Sequence, residues 1–441
     1  MPQKSKSATR LTVKTIKMKT KILLTTLHLL ILLLTFQQGK TQELYEYLKE
    51  AGENHPGIRA AYQEYYAALE QVDQSGTLPD PKLSLGYFLS PVETRLGPQK
   101  LKISISQMFP WFGTLKQKEK AAAEQAQVKY QAFLEKRNTV YKKVRIEWYN
   151  LYKTSKAIKI TRENIEVLQS LKTLTRRNYE NNKGRMAELL KIDVNIREQK
   201  NTLKELRERL SAQKTDFNLL LNRSPGDSLK APRQIRDNTF DIAAFRDSTR
   251  NHPEIIALEN KEKAIKHQLE VNRKKGYPDI SLGLDYAVID ERQDMQVNNS
   301  GRDVIMPMVG ISIPLYRKKY RAMEKQTQFR LEAVRSRQQE KNNQLSSSYR
   351  QAEKAYLDAR RNVDLYNEQV EQTQKIFRLL KTSYASDGES FFELLRTRLM
   401  LLEYELKLEK ARAGKNIAVA RLEYLTNRPA PYKTEQIQSK R

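Results

Sequence analysis

YENNKGRMAELL at residues 179–190 and YASDGESFFELL at residues 384–395 are two copies of one pattern: Tyr179 matches Tyr384, and Glu188-Leu189-Leu190 matches Glu393-Leu394-Leu395, 205 residues on. Working outward, Asn222-Arg223 returns as Asn427-Arg428 at the same spacing. Toward the N-terminus, Asn54-His55-Pro56 returns as Asn251-His252-Pro253 and Ser84-Leu85-Gly86 as Ser281-Leu282-Gly283, both 197 residues on. The order is kept and the drift in offset falls in loops. The chain is therefore a tandem duplication of a unit of about 200 residues.

Each copy of the quoted stretch sits between two helical patterns. Residues 115–183 and 315–387 contain neither proline nor glycine. In the second copy Val363, Tyr366, Val370, Thr373, Phe377, Leu380 and Tyr384 step by three and four, a heptad seam. Gly184 and Gly388 stand where these helices must end and turn. Return helices follow over 185–221 and 389–425, the second with a seam of Phe392, Leu395, Leu399, Leu402 and Leu406.

Upstream of each long helix the period changes from three and a half to two. Leu83, Leu85, Tyr87 and Leu89 stand against Lys82, Ser84, Gly86 and Ser90 over 81–90, and Leu101, Ile103 and Ile105 against Lys102, Ser104 and Ser106 over 100–109. The second copy repeats this over 278–289 and 304–315. A period of two over nine to eleven residues suits a tilted membrane-spanning strand. Pro110 and Pro314 mark the strand-to-helix junctions, and Pro56 and Pro253 suit the first position of a short opening helix capped by Asn-His.

The composition of the 441 residues, with mean hydropathy −0.73, 30% charged residues and a net charge of +28, raises nucleic acid as a partner. Residues 1–40 supply eight of the cations and no acid. The remaining Lys and Arg alternate with Glu along helices such as 197–209, as solvated helix faces do. Nucleic acid is thereby disfavoured. The basic flank and the run from Ile22 to Phe36, too short to span a bilayer, read as a signal peptide with Met18 as a possible true start. The organisation expected is a signal peptide over 1–40, repeats over 41–230 and 231–428, and a tail over 429–441. The absence of cysteine rules out a lipidated N-terminal cysteine and leaves the compartment otherwise open.

Helices of about 65 residues are roughly 100 Å long at 1.5 Å rise, far beyond an ordinary globular helix. Four strands cannot close a barrel, and an open sheet edge is not tolerated in lipid, so other copies must complete the sheet. Two copies give a barrel filled by side chains; three give twelve strands and room for a lumen. The fold class expected is mainly α, with duplicated coiled-coil hairpins and a small transmembrane β part completed in a trimer.

The doubled order of Asn-His-Pro helix starts, strand pairs, proline junctions, heptad helices and Gly-x-x-x-x-Glu-Leu-Leu turns resembles the outer-membrane efflux protein family of the TolC type, over residues 43–428. That resemblance implies a homotrimer in the outer membrane whose helices extend into the periplasm. It also implies a periplasmic adaptor and an inner-membrane efflux pump as partners. The tip turns, with Gly184, Gly388, Leu189 and Leu394, would form the adaptor contact. Asp387, Glu389 and Glu393 would become acidic rings at the periplasmic entrance, bridging to Lys183 or Arg185. The alternative reading is a periplasmic adaptor-like coiled-coil protein, which would carry one hairpin and more strands.

Other constellations carry less. Trp111, Phe112 and Tyr316 follow the junction prolines, where a membrane interface or core packing would both suit them. Met306 and Met308 share a strand face and could offer thioethers to soft metal ions, against a plain lining role. His55 and His252 recur at cap positions. No phosphate-binding loop or nucleophile motif occurs, so neither catalysis nor a cofactor is expected.

Overall fold

The computed structural model describes residues 42–245, 248–387 and 391–428. The signal segment, Gly388, Glu389 and the tail lie outside the described residues. The first repeat runs α1 (Gln42–Asn54), α2 (Pro56–Gly76), β1 (Lys82–Thr94), β2 (Gly97–Phe109), α3 (Thr114–Glu180) and α4 (Met186–Leu220). After single turns at Ile242–Phe245 and Ser248–Asn251, the second runs α5 (Pro253–Lys274), β3 (Asp279–Ile289), β4 (Val304–Ser312), α6 (Arg317–Asp387) and α7 (Phe391–Leu425). Helices α3 and α6 have 67 and 71 residues, about 100 Å each, and α4 and α7 have 35. The chain packs as two compact units, one of residues 57–137 and 246–348, the other of the remainder. Each unit draws on both repeats.

The motifs shared by the repeats begin and end helices. Pro253 opens α5 behind an extended His252, whose Nδ1 accepts the Glu254 N–H at 3.3 Å. Asn182, Asn222 and Asn427 take left-handed φ values of 57, 60 and 50° after α3, α4 and α7. In each case the next residue's N–H reaches back five positions: Lys183 to Asn178 at 2.8 Å, Arg223 to Asn218 and Arg428 to Glu423 at 2.9 Å. Asparagine tolerates this conformation better than any other residue with a β-carbon, which explains the repeated Asn-Arg. The arginine then anchors the end. Arg223 pairs with Glu50 over the Tyr47 ring, and Arg428 lies 3.6 Å from the centroid of Phe245. Asn222→Gly is expected to leave stability within about 0.5 kcal/mol and Asn222→Ala to cost about 1 kcal/mol, read by chemical denaturation.

The glycine at the first tip does something other than expected. Asn182, not Gly184, takes the left-handed conformation, and a Cβ on Gly184 would lie 3.2 Å from the Tyr179 backbone nitrogen. The close return of the chain over the last turn of α3 favours a residue without a side chain at Gly184.

In the unit that holds the strands, β1-β2-β3-β4 form one antiparallel sheet, and the β2–β3 pairing joins the repeats. The register aligns Leu85, Ile103, Tyr286 and Ile305 in one row, and Leu83, Ile105, Leu284 and Pro307 in a neighbouring row on the same face. Alternation puts Ser84, Ser104, Asp285 and Met306 on the other face, where Lys102 and Asp285 pair at 2.5 Å. The apolar face is bare: Leu85 is 70% and Val309 71% exposed. The outer edges of β1 and β4 are unpaired. Strand β1 runs on to Thr94 past a register shift after Tyr87, and β4 stops at Ser312, earlier than the alternation suggested.

In the other unit, Trp148 and Phe217 pack around Tyr47 at ring separations of 5.3 and 5.2 Å. Residues 222–241, which join the repeats without helix or strand, are held by side chains of α3 and α7. Asp237 pairs with Lys415 at 2.6 Å, and Asn238 donates to Asn416 Oδ1 at 2.7 Å and to the Tyr149 hydroxyl at 3.1 Å. Nothing in the sequence reading had singled out this strap.

Candidate functional site at the helix tips and the sheet

The two hairpin tips meet around Tyr384, which is fully buried. Leu168, Leu171, Ile192 and Ile196 of the first hairpin close on Phe377, Phe391, Leu394 and Leu395 of the second. The Tyr384 hydroxyl lies 3.2 Å from both Thr175 Oγ1 and Glu188 Oε2. It has one proton; donating that to the Glu188 carboxylate leaves the Thr175 hydroxyl to donate to the tyrosine oxygen. Asn178 Nδ2 adds a bond to the Tyr384 carbonyl at 3.2 Å. Burial pushes the Tyr384 hydroxyl pKa up, so it remains a donor. Farther along the same hairpins, buried Arg398 donates to Asn164 Oδ1 at 2.7 Å, and Lys172 pairs with Asp193 at 2.5 Å. Apolar contact and a buried hydrogen-bond cluster thus bind the tips of one chain together.

The candidates read from the sequence are placed unequally. Leu189 and Leu394 are buried. Lys183, Arg185 and Glu393 are exposed, and among the described residues none of them makes an ion pair. Arg185 precedes α4 in extended conformation, without a side-chain cap. Asp387 is the last residue of α6, while Gly388 and Glu389 lie outside the described residues. Glu188 had registered only as a matching letter of the duplication, and Tyr384 as that and as the last position of the heptad seam. Their pairing was hidden because their counterparts Tyr179 and Glu393 are exposed, a difference that local pattern does not encode.

At the junctions, Pro110 and Pro314 stand between strand and helix, the latter buried. Trp111 stacks on Tyr277 at 5.1 Å and its backbone N–H donates to Asp279 Oδ1 at 3.1 Å, whereas Phe112 and Tyr316 are 75% and 82% exposed. Aromatic rings at the margin of a bare apolar sheet face are what a membrane interface selects. Met306 and Met308 share the polar face. Among the described residues, no group of three or more His, Cys, Asp or Glu side chains could hold a metal ion, and no helix is long and apolar enough to cross a membrane.

A sheet with one bare apolar face and one polar face is thus joined in sequence to two long helical hairpins. Residues 245–428 match the family model described as outer membrane efflux protein. The first repeat carries the same elements in the same order. The match to that family model spans the second repeat, less than half of the chain. No curated protein matches it. Among solved structures it is similar to the outer membrane protein VceC of Vibrio cholerae, with 14% identity, TM-score 0.73, and coverage of 87% of this chain and 96% of that one. It is also similar to the CmeC outer membrane channel of Campylobacter jejuni, with 13% identity, TM-score 0.71 and coverage of 87% and 85%. The open state of the MtrE outer membrane channel of Neisseria gonorrhoeae is similar at 15% identity, TM-score 0.70 and coverage of 87% and 88%. At such identities the likeness establishes the shared fold.

Proposed function

We propose that three copies of this chain close a twelve-stranded barrel in the outer membrane. Their hairpins would line a passage from the periplasm, and a periplasmic adaptor and inner-membrane pump would deliver the cargo. The observation that carries this reading is the sheet: two faces of opposite chemistry and two unpaired edges. Unpaired backbone is too costly in lipid, so the edges must meet those of other copies, and three is the smallest number that leaves a lumen. Transport through such a duct is passive, and selection belongs to the pump. Recovery in the outer membrane as a cross-linkable trimer is the expected result of fractionation; a soluble monomer would refute the reading.

The entrance is proposed to lie at the tips, with Asp387, Glu389 and Glu393 as the acidic residues facing Lys183 and Arg185. Leu189 and Leu394, with the turns at Gly184 and Gly388, support the adaptor contact. Three-fold repetition makes each acid a ring that attracts cations and can bridge to neighbouring Lys or Arg. Asp387→Ala is expected to raise single-channel conductance in planar bilayers or antibiotic leakage in cells. Unchanged values in both would remove Asp387 from the gate.

A further inference from the structure

The connection between β3 and β4, residues 290–303, is fastened to the turn between β1 and β2. Gly301 donates its N–H to the Leu96 carbonyl at 2.8 Å, and Asp290 donates to that of Pro98 at 2.9 Å. Arg292 Nη1 donates to the Thr94 carbonyl at 3.2 Å, and the Arg292 N–H donates to Ser300 Oγ at 2.7 Å. Gly97 permits this seat, because a Cβ there would lie 1.8 Å from the Asp290 carbonyl oxygen. The loop is thus held in place by backbone bonds and not by any ligand.

The seated loop borders a cavity of about 630 Å³ on the polar face of the sheet, a size usual for small-molecule sites. Its floor is apolar, with Ala287, Ile289, Val304 and Met306, and the amides of Asn298 and Asn299 stand at its rim. Its charged members are Arg95, Lys102 and Asp285. Arg95 is exposed, and among the described residues it makes no ion pair. Asp285 is 2% exposed; its Oδ2 pairs with Lys102 at 2.5 Å, while Oδ1 receives no hydrogen bond of good geometry. A buried acceptor in that condition calls for a donor.

The three features ask for one kind of molecule. With Lys102 and Asp285 paired, Arg95 remains as the uncompensated charge, and its planar fork matches a carboxylate. The apolar floor, with the Met306 thioether, suits a flat ring. The open position at Asp285 Oδ1 takes a hydroxyl hydrogen. We propose that the cavity binds hydroxylated aromatic acids, with the carboxylate on Arg95, the ring over Val304 and Met306, and the ring hydroxyl donating to Asp285. This inference rests on the duct proposed above, in which the polar face lines the passage. Each copy then places one such subsite at the loop end of the barrel, where departing cargo meets it.

The test uses the full-length protein in planar bilayers, with 4-hydroxybenzoate as the probe and single-channel current as the readout. A concentration-dependent block is expected, stronger when the probe is added from the loop side. Arg95→Ala should raise the half-blocking concentration at least about fivefold, the loss of one charge-assisted contact, and benzoate should need about threefold more than 4-hydroxybenzoate. Lys82→Ala is the control, since Lys82 is an exposed cation of the same face, in the row of Ser106 and Gly283 and outside the cavity. Its half-blocking concentration should stay at the wild-type value. Current that no concentration of probe blocks overturns the inference and leaves the duct standing. Equal effects of Lys82→Ala and Arg95→Ala also overturn it, because they signal the general field of the passage, as does equal block by the cation benzylamine. Membrane-inserted protein that conducts no current at all overturns the duct reading together with the subsite.

Discussion

Tyr384→Ala is expected to destabilise the tip region by about 3–5 kcal/mol, the usual cost of deleting a buried aromatic ring. The residue is fully buried, touches both hairpins and supplies the one hydroxyl shared by Thr175 and Glu188. Tyr384→Phe isolates the polar part. It keeps the ring but leaves Glu188 buried without its donor, at about 1–3 kcal/mol, and its effect should shrink when combined with Glu188→Gln, whose amide is cheaper to leave unpaired. Thermal unfolding measures the loss, and conductance or antibiotic leakage reports whether parted tips open the passage. Wild-type stability in Tyr384→Ala would mean that the tips are held elsewhere. The pH dependence follows from burial, which raises the hydroxyl pKa above its ordinary 10.0. A folded-state pKa above the unfolded one means that the contribution is complete below pH 10 and declines as pH rises beyond it.

The second large effect concerns adjacent residues of β2. Ile103 lies between Leu85 and Tyr286 on the apolar face, and Ser104 between Ser84 and Asp285 on the polar one. Ile103→Lys near the strand centre is expected to cost about 2–4 kcal/mol per copy in a bilayer and to abolish recovery of trimer from the outer membrane. Ser104→Lys should assemble normally and shift cation-to-anion selectivity toward anions, measured as reversal potential in a salt gradient. If both variants assembled equally well, or if the two exchanged behaviours, the assignment of faces would be wrong.

The architecture was largely legible in the sequence because its signals are long. Heptads without a proline or glycine over some seventy positions, and strands whose apolar residues fall mostly on alternate positions, leave little freedom. The duplication fixed the order of elements twice over. What local pattern could not show was the asymmetry between copies. Tyr179 and Tyr384 occupy the same place in the repeat, yet one is exposed and the other forms the centre of the tip core. The difference arises because hairpin one lies on only one side of hairpin two, a tertiary fact without a local signature. Asn182 was missed for a different reason. Glycine is the common residue at a helix end, and a glycine two positions later drew the assignment.

The bare edges of β1 and β4 also bear on biogenesis. A lone chain offered to a bilayer would carry two rows of unsatisfied amides into hydrocarbon, so insertion cannot precede association. On the duct proposed above, entry into the membrane and oligomer formation are expected to be one kinetic event, with a rate that rises more steeply than linearly with chain concentration. Until it occurs, the apolar face and open edges are an aggregation liability.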